Sequence, residues 1–536
     1  MRPRSTLPLA LLAVALATAA SAAVTDPDDI ADVARQAPGA IEHCDEAIEG
    51  REFAEIFACG DDLFETRFNA VDGVGANVGN GQRFTSTPRF DLSMYANIMP
   101  KRVTGPNAQS CNTCHASETI GGGGDSSGLS ALNNTQDLAG VSGVLDARNF
   151  VERNTPHLFG MAGIQLAAEE MTRDLQRTRA SAIASACSNR QVVTASLASK
   201  GVSFGQIRVT PTGCPSPVVD TSRVAGVDAD LVINPFGWKG TFPSVRLFSA
   251  GAFHNELGMT PTEFSGPDVD SDFDGVENEI SIEDVSAMTV YLAAQPRPTT
   301  LIELDNLRRT LLALGAGSVI EDLGLPALTV AQRAQIGRGS DRFAAADCAT
   351  CHTPALVTNG RTFAEPSPLA AYRFDFGVDP RLPQVVDPAN PLTFDITLDQ
   401  PDNVIQVGNT VVRRLGSFEP NGAGGAIVRS YGDLKRHDMG RQLAESIGEP
   451  EPLDAATKVP PSIFLTAELW GVGNTAPYLH DGRASTIEEA ILEHGGEAAA
   501  SRDRFRALSP AAQADLLAFL NNLVLFFPAA QEDGED

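Results

Sequence analysis

A chain of 536 residues with a formal charge of −28 exceeds what one hydrophobic core usually organises, so two or more domains are expected. The charge argues against nucleic acid as a partner, because phosphates call for a surplus of Lys and Arg. It suits either a basic electron-transfer partner steered by charge or a surface that simply stays in solution.

The chain opens with Arg2 and Arg4, an apolar run from Leu7 to Ala20 and the small-residue site Ala20-Ser21-Ala22. This is the pattern of a cleaved secretory signal peptide, assigned to residues 1–22. No later apolar run reaches the roughly 18 residues a bilayer requires. A periplasmic or secreted protein without a membrane span is therefore expected.

The eight cysteines stand at 44, 59, 111, 114, 187, 214, 348 and 351. Four of them form two C-x-x-C-H pentapeptides, Cys111-Asn112-Thr113-Cys114-His115 and Cys348-Ala349-Thr350-Cys351-His352. In such a motif the two thiols add to the vinyl groups of a haem and the histidine ligates its iron. A structural zinc site needs four ligands in a closed tetrahedron, which two separated copies supply less well. The expected cofactors are two covalently bound haem c groups, with His115 and His352 as iron ligands. In an oxidising compartment the other four cysteines can form two disulfides. Three pairings are open, and Cys44–Cys59 with Cys187–Cys214 are preferred as sequence neighbours.

In chain order, Gly121 to Gly124 reads as a loop. Asp268, Asp270, Asp272 and Asp274-Gly275 form a D-x-D-x-D-G run whose oxygens suit calcium. With Asp270 as the first loop position, Ser281 stands where an EF-hand has its glutamate, so the match is partial and a solvated acidic turn is the alternative. Pro296 to Pro298 suits a turn between halves, and Val330 to Phe343 has apolar positions at helical spacing. Residues 377–403, rich in Pro, Asn and Asp, read as a loop. Ser485 and Thr486, each followed three residues later by Glu, begin a helix that Gly495-Gly496 ends. Ser509-Pro510 starts another over 508–526. Strand signals are sparse. The expectation is a mainly α protein with two cytochrome c-like haem domains and large irregular insertions, divided into an N-terminal part at 23–325 and a C-terminal part at 326–530.

Near the C-terminus the chain reads Asn474-Thr475-Ala476-Pro477-Tyr478-Leu479-His480-Asp481-Gly482-Arg483. This resembles the signature of bacterial di-haem cytochrome c peroxidases and MauG. The wider pattern is closer to the di-haem oxidoreductase family once called thiol-oxidoreductase-like: Leu63 to Gly75, Phe236 to Gly240 (FGWKG), Ala252 to Thr260 (AFHNELGMT), Tyr431 to Gly440 (YGDLKRHDMG) and Pro477 to Ala498. Arg153-Asn154-Thr155-Pro156 also matches the peroxidases, and the spacing from Trp238 to Ala252-Phe253 matches the rubber oxygenases of the same broad group.

The resemblance implies a haem oxidoreductase, peroxidase-like, in which the C-terminal haem relays electrons and the N-terminal haem binds the oxidant. It places the second ligand of the C-terminal haem fourteen residues beyond His480, at His494. Bis-histidine ligation there lowers the potential relative to the methionine of the peroxidases. The local pattern agrees, since His494 sits at a helix end, although a histidine there also suits the helix dipole. His437, with Met439 behind it, is the rival, and His480 is expected to be structural. Trp238 is implied as the relay between haems, with core packing as the alternative; Trp470 is read as packing. Phe253 and His254 match the distal region of the N-terminal haem, where an apolar Phe253 favours O2 and an acid/base group favours peroxide. Glu169 and Glu170 are the candidates for that acid/base group. The oxidant is peroxide or O2, and the donor a small redox protein or a quinol-linked system. Two other readings stay open: a dioxygenase of an apolar polymer or lipid, and a pure electron-transfer cytochrome.

Overall fold

The computed structural model describes residues 39–75, 108–116, 121–124, 131–134, 150–271, 274–373, 387–398, 404–408, 410–414, 416–446, 448–451 and 454–526. The proposed signal peptide and Asp272 lie outside them. Among the described residues no helix is long and apolar enough to cross a membrane.

The centre is the helix Ile282–Ala294, buried along its whole length. Ser281 and Asp284 close a capping box at its start, which satisfies amides that a buried helix end would otherwise leave unpaired. Asp284 also accepts from Cys44 N at 2.9 Å. The helix Phe53–Glu65 lies against this central helix, with Phe57 and Phe64 packed on Tyr291 at 5.1 and 5.4 Å. The long helix Met161–Asn189 buries Ala162, Ile164, Ala168, Met171 and Leu175 along its first half. The disulfide Cys187–Cys214 ties its end to a three-stranded antiparallel sheet of Val193–Ser199, Val202–Thr210 and Val218–Val224. The other disulfide is Cys44–Cys59, so both preferred pairings are present.

In the C-terminal part the helices Val330–Ala345 and Pro510–Leu520 cross closely. A Cβ at Gly339 would overlap the carbonyl of Asp515, and Phe343 packs on Phe519 at 5.3 Å. Thr329 and Gln332 form the capping box of the first helix, and Ser509 caps the second. The largest core cluster runs from Cys44 to Trp470 and takes residues from both sides of position 325.

One sequence expectation is corrected. The described residues are 38% helical and 18% strand, with several small sheets, a mixed α/β protein and not a mainly α pair of cytochrome c-like domains. The strands were hard to read because most are two to five residues long, and the longer ones are bulged. In Val202–Thr210 the residues Val202 and Phe204 are buried, then Ile207 and Val209. The alternation changes phase between Phe204 and Ile207, and the pairing with Val218–Val224 shifts register between Gln206 and Arg208, as a bulge does.

A buried ion cluster braces the core. Arg246 contacts Glu263, Glu365 and Ser286, and donates to Ile282 O at 3.3 Å. Burial pushes Glu365 up to about 7 despite the opposing charge of Arg246. We predict that Arg246→Met lowers the unfolding free energy by about 3–5 kcal/mol, because it strands two buried carboxylates. Below pH 7 Glu365 takes up a proton and no longer needs the cation, so the deficit should be smaller at pH 5 than at pH 8. Urea denaturation at both pH values checks this; an equal deficit would place the loss in packing alone.

Candidate haem sites and the cavity at the second motif

The second C-x-x-C-H motif follows directly on the helix Val330–Ala345. Asp347 adopts a left-handed conformation, and Cys348–Thr350 form one 3-10 turn. His352 N donates to Cys348 O at 3.0 Å, which turns the imidazole inward. Cys348 and Cys351 are unbridged thiols, and burial pushes the Cys348 thiol up to about 11. The His352 ring donates from Nδ1 to Tyr431 O at 3.1 Å, which leaves Nε2 for a metal. Burial holds this imidazole down at about 4, so it is neutral, as a ligand must be.

Across an apolar cavity of about 500 Å3 stands His494, and both histidines line it. Thr486 and Glu489 form the capping box of the helix Ile487–Glu493, and His494 is its C-cap. The His494 ring donates from Nδ1 to Ala490 O at 2.7 Å, again leaving Nε2 inward. The two ring centres are 6.4 Å apart. A metal ion held at about the 2.0 Å typical of imidazole ligation, with roughly 1.1 Å more to each ring centre, would need about 6.2 Å. The residues fit a haem tethered at Cys348 and Cys351 and ligated on both faces.

The rival histidine is engaged elsewhere. The His437 nitrogens bond Glu497 and Asp433, each at 2.9 Å. Burial alone would lower its pKa, yet the hydrogen bond to Asp433 leads a set of contacts that hold it at about 10. Both of its nitrogens are occupied, so no lone pair points at the cavity. Met439 lines the cavity nearby.

In the first motif, Cys114 N and His115 N donate to Cys111 O at 3.1 and 3.0 Å. Cys111 and Cys114 are unbridged thiols that burial pushes up to about 12 and about 11. His115 donates from Nδ1 to Pro156 O at 3.0 Å and is held at about 4 by burial. The pair of unbridged thiols and a histidine held by a backbone carbonyl repeat the second motif, and here Gly122 also hydrogen-bonds the ring. Among the described residues, the aromatic ring packed beside His115 is Phe64, at 6.3 Å.

Phe253 to Leu257 form one turn of π-helix, a distortion frequent at functional sites. This turn abuts the first motif, since Ala108 N donates to Glu256 O at 3.1 Å and the Glu256 charge raises both thiols. Phe253 is 2% exposed and meets Phe68 edge-on at 6.2 Å. His254 meets Phe264 at 5.6 Å. Neither lines the 500 Å3 cavity. Glu169 is tied to Ser367, Gln165 and Arg173. Glu170 holds Lys200 and the amides of Asn359 and Gly360. Both are engaged in bracing the fold. In the acidic loop, Asp270 accepts from the amides of Asp274 and Gly275, and Asp274 from Val276.

Trp238 shares the cavity with Cys348, Cys351 and His352 of the second motif. Its indole N–H donates to Asn154 O at 2.8 Å. Two residues on, Pro156 O holds His115. The Asn154 side chain donates to Pro477 O and Leu479 O, and its amide to His480 O. The RNTP and APYLHDG segments therefore clasp each other beneath the tryptophan. His480 is buried, stacks on Phe464 at 4.4 Å and faces the Trp238 edge at 6.5 Å. Trp470 packs against Phe418, and its carbonyl accepts from His157 at 2.9 Å.

Sequence reasoning did not foresee the burial and pairing of several charged groups here. Lys239 is fully buried, donates to Pro461 O at 2.7 Å, pairs with Glu445 at 3.1 Å and sits 3.5 Å over the Phe464 ring. Burial lowers it to about 8. Arg153 pairs with Glu445 and Glu449. Glu468 lines the cavity and is raised to about 7 by burial. Nothing local marks these residues as buried; FGWKG alone hinted at Lys239.

No curated protein matches the chain. Residues 419–523 match a family described as di-haem oxidoreductase, putative peroxidase. The matched segment holds His437, His480 and His494, while the two C-x-x-C-H motifs lie outside it. Over this segment the chain is similar to di-haem oxidoreductases, which supports the family resemblance read from the sequence.

Proposed function

We propose that the chain is an exported, peroxidase-like di-haem c-type oxidoreductase. The observation that carries the reading is the His352–His494 pair, with ring centres 6.4 Å apart beside two unbridged cysteines. When bound, the haems supply one-electron chemistry and an iron able to meet peroxide.

The two ends differ, and that difference supports a division of labour. The C-terminal end has a histidine on each face, which closes an iron to outside ligands and suits electron relay. At the N-terminal end His115 is the only ligand proposed, which suits oxidant binding near the Phe253–Leu257 turn. Trp238 lies on a hydrogen-bonded line to the His115 anchor through Asn154 and Pro156, which supports its role as the relay. The division at 325/326 is functional, since the two parts share a core. Two disulfides and the A-x-A site support a periplasmic or secreted location. The acidic surface suits a basic redox protein as donor.

The test is a pyridine haemochrome assay together with peroxide turnover. We expect two haems per chain that resist acid–acetone extraction, and one after Cys348→Ala/Cys351→Ala. Reduced cytochrome should be oxidised on adding peroxide. Extractable haem would refute c-type attachment. Consumption of O2 with no peroxide turnover would replace this reading with the dioxygenase one.

A further inference from the structure

Tyr431–Gly440 and Glu493–Glu497 are far apart in sequence, yet their backbones touch. A Cβ at Gly495 would meet Met439 O at 2.7 Å, and one at Gly440 would meet Gly496 N at 2.9 Å. At Gly496 an added Cβ would overlap Asp438 O. Only glycine allows this approach. Glu497 fastens the contact from the side, one oxygen accepting from Asp438 N at 3.0 Å and the other bonded to His437 at 2.9 Å.

His437 is 7% exposed. Its second nitrogen bonds Asp433, which is itself 1% exposed and accepts from Thr466 Oγ at 2.7 Å and Lys435 N at 3.0 Å. The same ring lies 3.9 Å from Cys351 Sγ. Among the described residues, Cys351, Asp433 and His437 are the one group of three that could hold a metal ion. They suit that role poorly, because both nitrogens of His437 are taken by carboxylates and the Cys351 sulfur is assigned to the haem tether.

We propose that His437 is a positioning residue that acts through Glu497 to hold His494 in ligating position. This rests on the reading that His494 is an iron ligand. The imidazolium separates two carboxylates, one rooted in the core and one three residues beyond His494. Without the cation, Asp433 and Glu497 repel each other, and Glu497 is the one free to move. The Gly495-Gly496 link then swings, and His494 moves with it. No other cation in contact with both carboxylates takes over this role among the described residues.

The probe is cyanide, which binds the C-terminal haem only by displacing His494. In His437→Gln, with two haems per chain confirmed, cyanide should bind that haem about tenfold or more tightly, the scale of losing a residue that orients a metal ligand. Glu497→Gln should do the same, and the double variant should add little, because both changes break one link. Wild-type cyanide affinity in His437→Gln, or fully additive effects in the double variant, would overturn the proposal. His494→Ala is the separating control: if it leaves cyanide binding at that haem unchanged, the ligand reading itself fails.

Discussion

His494→Ala is expected to convert one haem from low-spin to high-spin while the other keeps its spectrum. His352 and His494 each spend Nδ1 on a backbone carbonyl, Tyr431 and Ala490 respectively, so each presents Nε2 to the space between them. A ring separation of 6.4 Å suits one metal ion shared by the two rings. Removing one ring opens a face of that iron, and His437 does not fill it, because its nitrogens are held by Asp433 and Glu497. The vacancy should admit cyanide or imidazole, and external imidazole should restore the low-spin signal. Electron paramagnetic resonance of the oxidised protein reads the change directly. If His437→Ala produces the full conversion and His494→Ala does not, the ligand assignment is reversed.

What was legible in the sequence was local. C-x-x-C-H states its chemistry within five residues. The Thr486–Glu489 capping box and Gly495-Gly496 placed His494 at a helix end, where the structure has it. The helical spacing of apolar positions from Val330 to Phe343 likewise marked the helix before the second motif. What was hidden depends on partners distant in the chain. His437 looks like a ligand until Glu497, sixty residues on, takes its Nδ1. Lys239 looks like a surface lysine, and its burial is offset by Glu445, the prolyl carbonyls and the Phe464 face, none of them adjacent. The sheet content was missed for a related reason. Arg436–Asp438 and Ile463–Leu465 are three-residue strands paired with each other, too short for any alternation to show. The proposed N-terminal haem site is the least legible part, because its motif names only a tether and one ligand.

Trp238→Phe is expected to leave both haems attached, with unchanged spin states, and to lower peroxide-dependent turnover by at least tenfold, a barrier rise of about 1.4 kcal/mol or more. Phenylalanine keeps most of the apolar contact with the cavity and with the edge of His480. It loses the easily oxidised indole and the hydrogen bond to Asn154 O. That bond joins Trp238 to a segment whose Pro156 carbonyl, two residues later, holds the His115 ring, so the substitution removes the redox group and its link to the N-terminal site together. The two losses can be separated. Asn154→Ala retains the carbonyl that accepts from the indole and removes only the side-chain bonds to Pro477 O and Leu479 O. If it leaves turnover within about threefold of wild type, an effect below about 0.7 kcal/mol, the tenfold loss in Trp238→Phe belongs to the indole and not to a loosened clasp. Stopped-flow reduction of the C-terminal haem followed by peroxide addition supplies the direct readout, since its reoxidation should slow in Trp238→Phe while peroxide binding does not. Equal reoxidation rates in wild type and Trp238→Phe would make Trp238 a packing residue and require another route between the haems.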